Sequence, residues 1–387
     1  MKRFILSMIV TLILSTPAVR ADEIKKADVK TEQPKIEVVF VLDTTGSMSG
    51  LIAAAKEKIW SIANTLSMTK PVPEIKMGLL GYRDRGDEYI TKQFELTNDL
   101  DAVYAFLMGF QAGGGGDTPE SVNQAIHEAI TKMKWSSGEK TYKVIFLVGD
   151  CPPHTDYAND INYVECCRLA CEKGIVINTI QCGGCDGTEP IWREIAKKAE
   201  GKFFKVDQSG SAIASATPFD TEIATLSRDL DGTRLFYGTD RERSIQEGRA
   251  ETGDKLYDYA PASAVASRAV FNAGKAGEEN FTGGQELVND IAKGKVALSE
   301  LKAEQMDEKL RAMTEKEREA YVADMAKKRN ELQQQIQKLS KERQEYIQKE
   351  IRQNNLAEKS SLDHQLYECI KTQAEKKDIK YADGPVY

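Results

Sequence analysis

The chain has 387 residues, a formal charge of −7, 29% charged residues and seven cysteines. That length exceeds one typical domain, so one full core with something attached to it is expected. The acidic balance removes any electrostatic case for nucleic-acid binding, and beyond the first 21 residues no apolar run is long enough to cross a bilayer.

Lys2 and Arg3 supply a positive start, Phe4 to Leu14 an apolar stretch, and Val19-Arg20-Ala21 a small-x-small cleavage site. Residues 1–21 therefore read as a signal peptide, and the mature chain as periplasmic or secreted. No cysteine sits near the cleavage site for lipid attachment, and cleavage would remove three basic residues and no acidic one. Residues 22–34 read as a flexible lead-in.

A buried-type strand, Ile36 to Leu42, runs into the loop Asp43-Thr44-Thr45-Gly46-Ser47. A helix is expected over 51–68, ended by Pro71 and Pro73, then a strand over 75–82 leading into Arg83-Asp84-Arg85-Gly86-Asp87. Residues 89–96 read as an antiparallel edge strand and 100–110 as a short helix. The run Gly113 to Gly116 must be a loop. Pro119 is suited to the first turn of the helix that follows. Strands over 142–148, 175–180 and 202–206 alternate with helices over 160–173 and 190–199. This alternation predicts an α/β fold, a doubly wound, mostly parallel sheet flanked by helices over 35–210. A helical or irregular connecting region follows over 211–290, with 231–263 polar and without a readable period. Over 291–387 apolar residues at spacings of 3, 4 and 7 suit a long helical or coiled-coil-like region. Steps of 5 and 8, and the charged stretch 314–318, argue against one uninterrupted coiled coil. A final amphipathic helix is expected over 363–381.

Cys151, Cys166, Cys167, Cys171, Cys182 and Cys185 crowd into 35 residues, with Cys369 far away. In an exported chain this reads as a set of structural disulfides, with Cys151 pinning its loop, ahead of zinc or redox roles.

Asp43, Thr45 and Ser47 offer one carboxylate and two hydroxyls at alternate positions, an all-oxygen set that suits a hard cation. Caps for the following helix would use the same residue types. Thr118 after the glycine run, and Asp150 closing the 142–148 strand, supply further oxygens from two other loops. Asp117 reads as a helix cap, Arg83 and Asp84 as a structural ion pair, and His154 as a surface or hydrogen-bonding group.

This three-part pattern resembles the metal-ion-dependent adhesion site of von Willebrand factor type A domains, over about residues 35–208. The resemblance implies that Thr45, Ser47 and Thr118 coordinate the metal directly, while Asp43 and Asp150 accept from metal-bound waters. Thr45 stands where the family usually has a serine. Mg2+ is the expected ion, with Ca2+ or Mn2+ as alternatives. The function implied is an exported, divalent-cation-dependent protein-binding (adhesion-type) module with a helical spacer or assembly tail. Its partner would be an envelope or surface protein engaged through an acidic side chain, and the C-terminal helices could self-associate. A second reading is a scaffold acting through the helical tail, with a purely structural metal. A third, a Mg-dependent hydrolase using Asp43, Asp150 and His154, lacks a nucleophile–base pair and a second metal-ligand set, so no enzyme is expected.

Overall fold

The protein is described from a computed structural model covering residues 33–116, 118–138, 140–207, 216–353 and 362–381. The expected signal peptide, nearly all of the lead-in, and Asp117 lie outside these residues. All the described residues belong to one compact unit that begins at Gln33.

Six strands form one sheet in the order β3-β2-β1-β4-β5-β6. They are β1 (Lys35–Asp43), β2 (Glu74–Tyr82), β3 (Thr91–Thr97), β4 (Thr141–Gly149), β5 (Ile175–Cys182) and β6 (Phe203–Val206). Only β3 runs antiparallel, at one edge. Val, Ile, Phe and Leu dominate β1 and β4, which are buried on both faces, as a parallel strand covered by helices requires. The sequence order reverses around β1, which pairs with β2 on one side and β4 on the other. Asp43 stands opposite Tyr82, and Leu42 opposite Val148, so three strand ends finish at one level. Such a reversal opens a crevice at the carboxyl edge, where open α/β sheets hold ligands.

One face of the sheet is covered by α1 (Ser49–Leu66) and α2 (Leu100–Met108), with Trp60 and Tyr104 deep in that core. The other face carries α3 (Val122–Thr131), α4 (Tyr163–Glu172) and α5 (Thr188–Lys198), packed through Ile126, Cys167 and Trp192. The remaining helices are α6 (Asp220–Asp231), α7 (Asp240–Tyr259), α8 (Ala262–Asn272), α9 (Glu278–Thr282), α10 (Leu287–Ala292), α11 (Glu308–Arg311), α12 (Glu315–Gln353) and α13 (Leu362–Ala374).

These later helices fold back. Phe271 of α8 and Leu366, Cys369 and Ile370 of α13 join the same apolar core as Trp60 and Tyr142. Tyr142 on β4 donates to Gln373 Oε1 at 2.6 Å, and Gln373 donates to Asn178 on β5 at 2.8 Å. The long helix α12 lays Leu332 and Ile336 against Ile223, Ala269 and Phe281.

Several expectations change in detail. The helix after the glycine run begins at Val122, not at Pro119, because Glu120 pairs in an isolated bridge with Pro153 and its amide donates to the Pro152 carbonyl at 3.0 Å. The polar stretch 231–263 contains the 20-residue helix α7. The charged stretch 314–318 is the capped start of α12, where Thr314 and Glu317 exchange hydrogen bonds. The expected disulfides are absent among the described residues, and all seven cysteines are free thiols. For three of them the physical reason is visible: Cys166 faces the Asn123 carbonyl, Cys167 the Ile195 carbonyl and Cys369 the Asn178 amide, each filling core as a small apolar group, while the Cys151 thiol adjoins that of Cys185 without a bond between them.

Candidate metal centre

Asp43 ends β1 fully buried, and its Oδ1 accepts from the Thr45 amide at 2.9 Å and the Thr45 hydroxyl at 2.6 Å. The Thr45 hydroxyl lies 3.4 Å from that of Ser47, which is exposed. These three side chains therefore gather in one turn, as their alternate spacing suggested. The main chain beneath them is welded to two other loops. Thr44 donates to the Tyr82 carbonyl through both its amide and its hydroxyl, while its own carbonyl accepts from the Gly113 amide and Arg83 Nε.

Asp150 follows β4 and is buried beside this turn. Gly149 explains the closeness: a Cβ there would sit 2.4 Å from the Tyr82 hydroxyl and 3.0 Å from the Asp43 Cβ, so only glycine lets β4 end against Asp43. The glycine loop arrives from the other side. The Gly46 amide donates to the Gly114 carbonyl at 3.3 Å, and Asp87 accepts from the Gly115 amide at 3.1 Å. Gly114 and Gly115 have φ of +77° and +82°, which other residues rarely adopt. Thr118 stands exposed beyond this loop and shares no hydrogen bond with Asp43, Thr45 or Ser47 among the described residues. The structure thus brings four of the five candidate residues together, while Thr118 is exposed and joined to them by no hydrogen bond among the described residues.

Two acidic residues join them that spacing alone did not assign. Glu120 is 3% exposed, and its Oε2 makes no hydrogen bond within the protein. Burial, followed by the charges of Asp43, Asp84 and Asp150, pushes its carboxyl up to about 9. An acid two positions after Thr118 in the same loop was the available signal. Asp84 does not pair with Arg83. It accepts from Ser121 and Tyr157, each at 2.8 Å, with His154 Nε2 3.4 Å away. Arg83 instead spans the Thr44 and Gln111 carbonyls and Glu88. His154 is buried, stacked on Tyr157 at 4.0 Å and bonded to Asp156 at 2.8 Å, a hydrogen-bonding group but not a surface one.

Chemically the crevice is short of positive charge. Burial, with the Asp150 charge adding to it, raises the Asp43 carboxyl to about 7 against the two Thr45 hydrogen bonds. Asp43 Oδ2 has no hydrogen bond of good geometry, and the Asp150 amide helps it only weakly. Buried carboxylate oxygens without donors are costly unless a cation meets them. No three His, Cys, Asp or Glu side chains among the described residues are arranged to hold a metal alone. A cation here would therefore draw on hydroxyls and water as well as carboxylates, a donor set suited to a hard ion.

Residues 37–215 match the von Willebrand factor A domain profile. Within the A-domain match lie all five candidate ligands and all of the sheet except the first two residues of β1. The chain is 23% identical over 232 residues to an ariadne-like RING finger protein of Acanthamoeba polyphaga mimivirus, covering 55% of the chain and 23% of that protein. It is 27% identical over 124 residues to the alpha-protein kinase vwkA of Dictyostelium discoideum, covering 32% and 19%. The chain thus spans about a quarter or less of these curated relatives. Among solved structures, proximal thread matrix protein 1 from the mussel byssus gives a TM-score of 0.36 at 16% identity, over 46% of this chain and 42% of that one. A second crystal structure of that protein, with a zinc-occupied MIDAS motif, gives 0.36 at 16%, over 45% and 42%. The SpRpn10 VWA domain gives 0.35 at 13%, over 50% and 95%. No described helix is long and apolar enough to cross a membrane.

Proposed function

We propose that this chain is an exported, non-enzymatic protein-binding module whose grip on its partner depends on a divalent cation. Asp43, Thr45, Ser47, Thr118 and Asp150 would hold the ion, Mg2+ in preference to Ca2+ or Mn2+, with Glu120 as a further acidic neighbour. The observation that carries this reading is the buried cluster of Asp43, Glu120 and Asp150 at the carboxyl edge of the sheet beside the ends of β1 and β4, in which Asp43 Oδ2 and Glu120 Oε2 have no hydrogen-bond donor. The profile match to the A domain supports it, since domains of that family often mediate protein–protein interaction. When bound, the cation would supply an electrophilic site that a partner's Asp or Glu can complete. The chain's own groups have separate tasks. Thr45 orients Asp43, Gly149 lets Asp150 approach, and Asp87 fixes the glycine loop at the rim.

The test is a pull-down from cell-envelope extract in Mg2+, repeated with chelator and with Asp43→Ala, alongside calorimetry with Mg2+. A partner recovered only with Mg2+ and lost with the variant is expected. Recovery unchanged by chelator, or no heat of Mg2+ binding to the folded protein, would overturn the proposal.

A further inference from the structure

Beside the acidic cluster, the carboxyl edge of the sheet also holds a pair of thiols. β4 and β5 run in register, Gly149 opposite Gln181, so the loops that follow them leave the sheet side by side. Cys151 stands in the first loop, directly after Asp150, and Cys185 in the second. Thr188, at the start of α5, ties the two together. Its hydroxyl donates to the Asp150 carbonyl at 3.0 Å and its amide to the Cys185 carbonyl at 3.4 Å. Trp192 Nε1 donates to the Cys151 carbonyl at 3.1 Å and holds that loop against the same helix. With both main chains fixed in this way, the Cys151 and Cys185 thiols come within hydrogen-bonding reach of each other.

The other five thiols are engaged elsewhere. Besides the three that fill core, Cys171 Sγ lies 3.3 Å from the Lys198 carbonyl, and Cys182 is buried in the apolar core with Phe204 and Val206. Cys151 is buried while Cys185 is half-buried, so an oxidant in solution reaches the pair through Cys185. We infer that Cys151 and Cys185 form a redox switch: joined by a disulfide they clamp the β5–α5 loop onto the loop that carries Asp150, and as thiols they leave that junction to hydrogen bonds. The oxidant is a low-molecular-weight disulfide. The Cys185 thiolate attacks one of its sulfurs, forming a mixed disulfide and releasing one thiol. The Cys151 sulfur, its proton lost to solvent, then attacks the Cys185 sulfur and expels the second thiol. Two protein thiols and one small disulfide thus give one protein disulfide and two small thiols.

The test compares the full chain in reduced glutathione with the same chain in excess oxidised glutathione. Both are quenched with N-ethylmaleimide and mapped as peptides without reduction. A Cys151–Cys185 linkage is expected in the oxidised sample only. Hydrogen exchange at the amides of 183–187 should be at least about tenfold slower in the linked chain, and Cys185→Ser should remove both the linkage and the difference in exchange. Any of three results would overturn the inference. The first is Cys151 and Cys185 recovered from the oxidised folded chain as free thiols or separate glutathione adducts. The second is a linked chain whose 183–187 amides exchange as fast as in the reduced one. The third is slowed exchange that persists in Cys185→Ser. None of these readouts uses Mg2+, so the thiol pair and the cation reading are tested separately.

Discussion

At the scale of single residues, the behaviour of the crevice is set by charge burial more than by hydrogen bonding. Asp43 holds two hydrogen bonds from Thr45 and still has its carboxyl raised to about 7, since burial outweighs them. Asp43→Asn keeps the Oδ1 acceptor and removes the buried charge. It should leave the metal-free protein at least as stable at pH 8 while losing the melting-temperature rise on adding Mg2+. If the proposed site binds Mg2+, the wild-type chain should gain about 2.7 kcal/mol at a hundredfold excess over Kd. Glu120→Gln should lower Mg2+ affinity about tenfold by calorimetry, as expected for removing one charged neighbour. Gly149→Ala should do more damage than its size suggests, because its Cβ would meet Tyr82 and Asp43 at once. A loss of about 1–3 kcal/mol in urea unfolding, together with weakened Mg2+ binding, is the expected result.

Among the helices, buried arginines do the joining. Arg268 is 1% exposed, bonds both oxygens of Asp101 on α2 at 2.6 Å, and reaches Asp231 on α6 at 2.8 Å. Arg329 on α12 makes the same two-pronged contact with Glu286, at 2.9 and 2.8 Å, and Arg343 bonds Asp220 at 2.7 Å. Arg268→Ala would leave Asp101 without its cation and Asp231 with only the more distant Arg234, and should cost about 3–5 kcal/mol. Burial alone would raise the Asp231 carboxyl, but the charges of Arg268 and Arg234 pull it below its ordinary value. A carboxyl depressed in the folded state stabilises fully above its unfolded pKa, near 3.9, and that stability drains away as pH falls through the folded value. Asp231→Asn should therefore be less stable than wild type at pH 7 and show a shallower loss below about pH 4, read by urea unfolding across pH. The same helices show why α7 was hard to read. Its inward face carries Arg243, Gln246, Gly253 and Leu256, so burial there leaves no apolar period to detect. Only the Thr239–Glu242 capping box marked its start.

Over the whole molecule, the C-terminal helix α13 belongs to the sheet's own core, while α12 packs against α6 and α8, so neither is a detachable spacer. Deleting residues 362–387 would uncover Tyr142 and Asn178 and strip Leu366 and Ile370 from the core. That truncated chain should aggregate or melt far below the intact one, whereas a dispensable tail would leave melting unchanged. The sequence by itself determined the alternation of strands and helices, the antiparallel edge and the turn that gathers Asp43, Thr45 and Ser47. These are local properties, fixed by apolar runs, glycine punctuation and spacing within a few residues. Only the tertiary structure decided that Asp84 turns from Arg83 to Ser121 and Tyr157, that Glu120 joins the crevice, and that α13 closes over β4 and β5. Each of these pairs residues far apart in the chain. Their partners are chosen by which buried charges and apolar faces the fold brings together, and no local pattern carries that information.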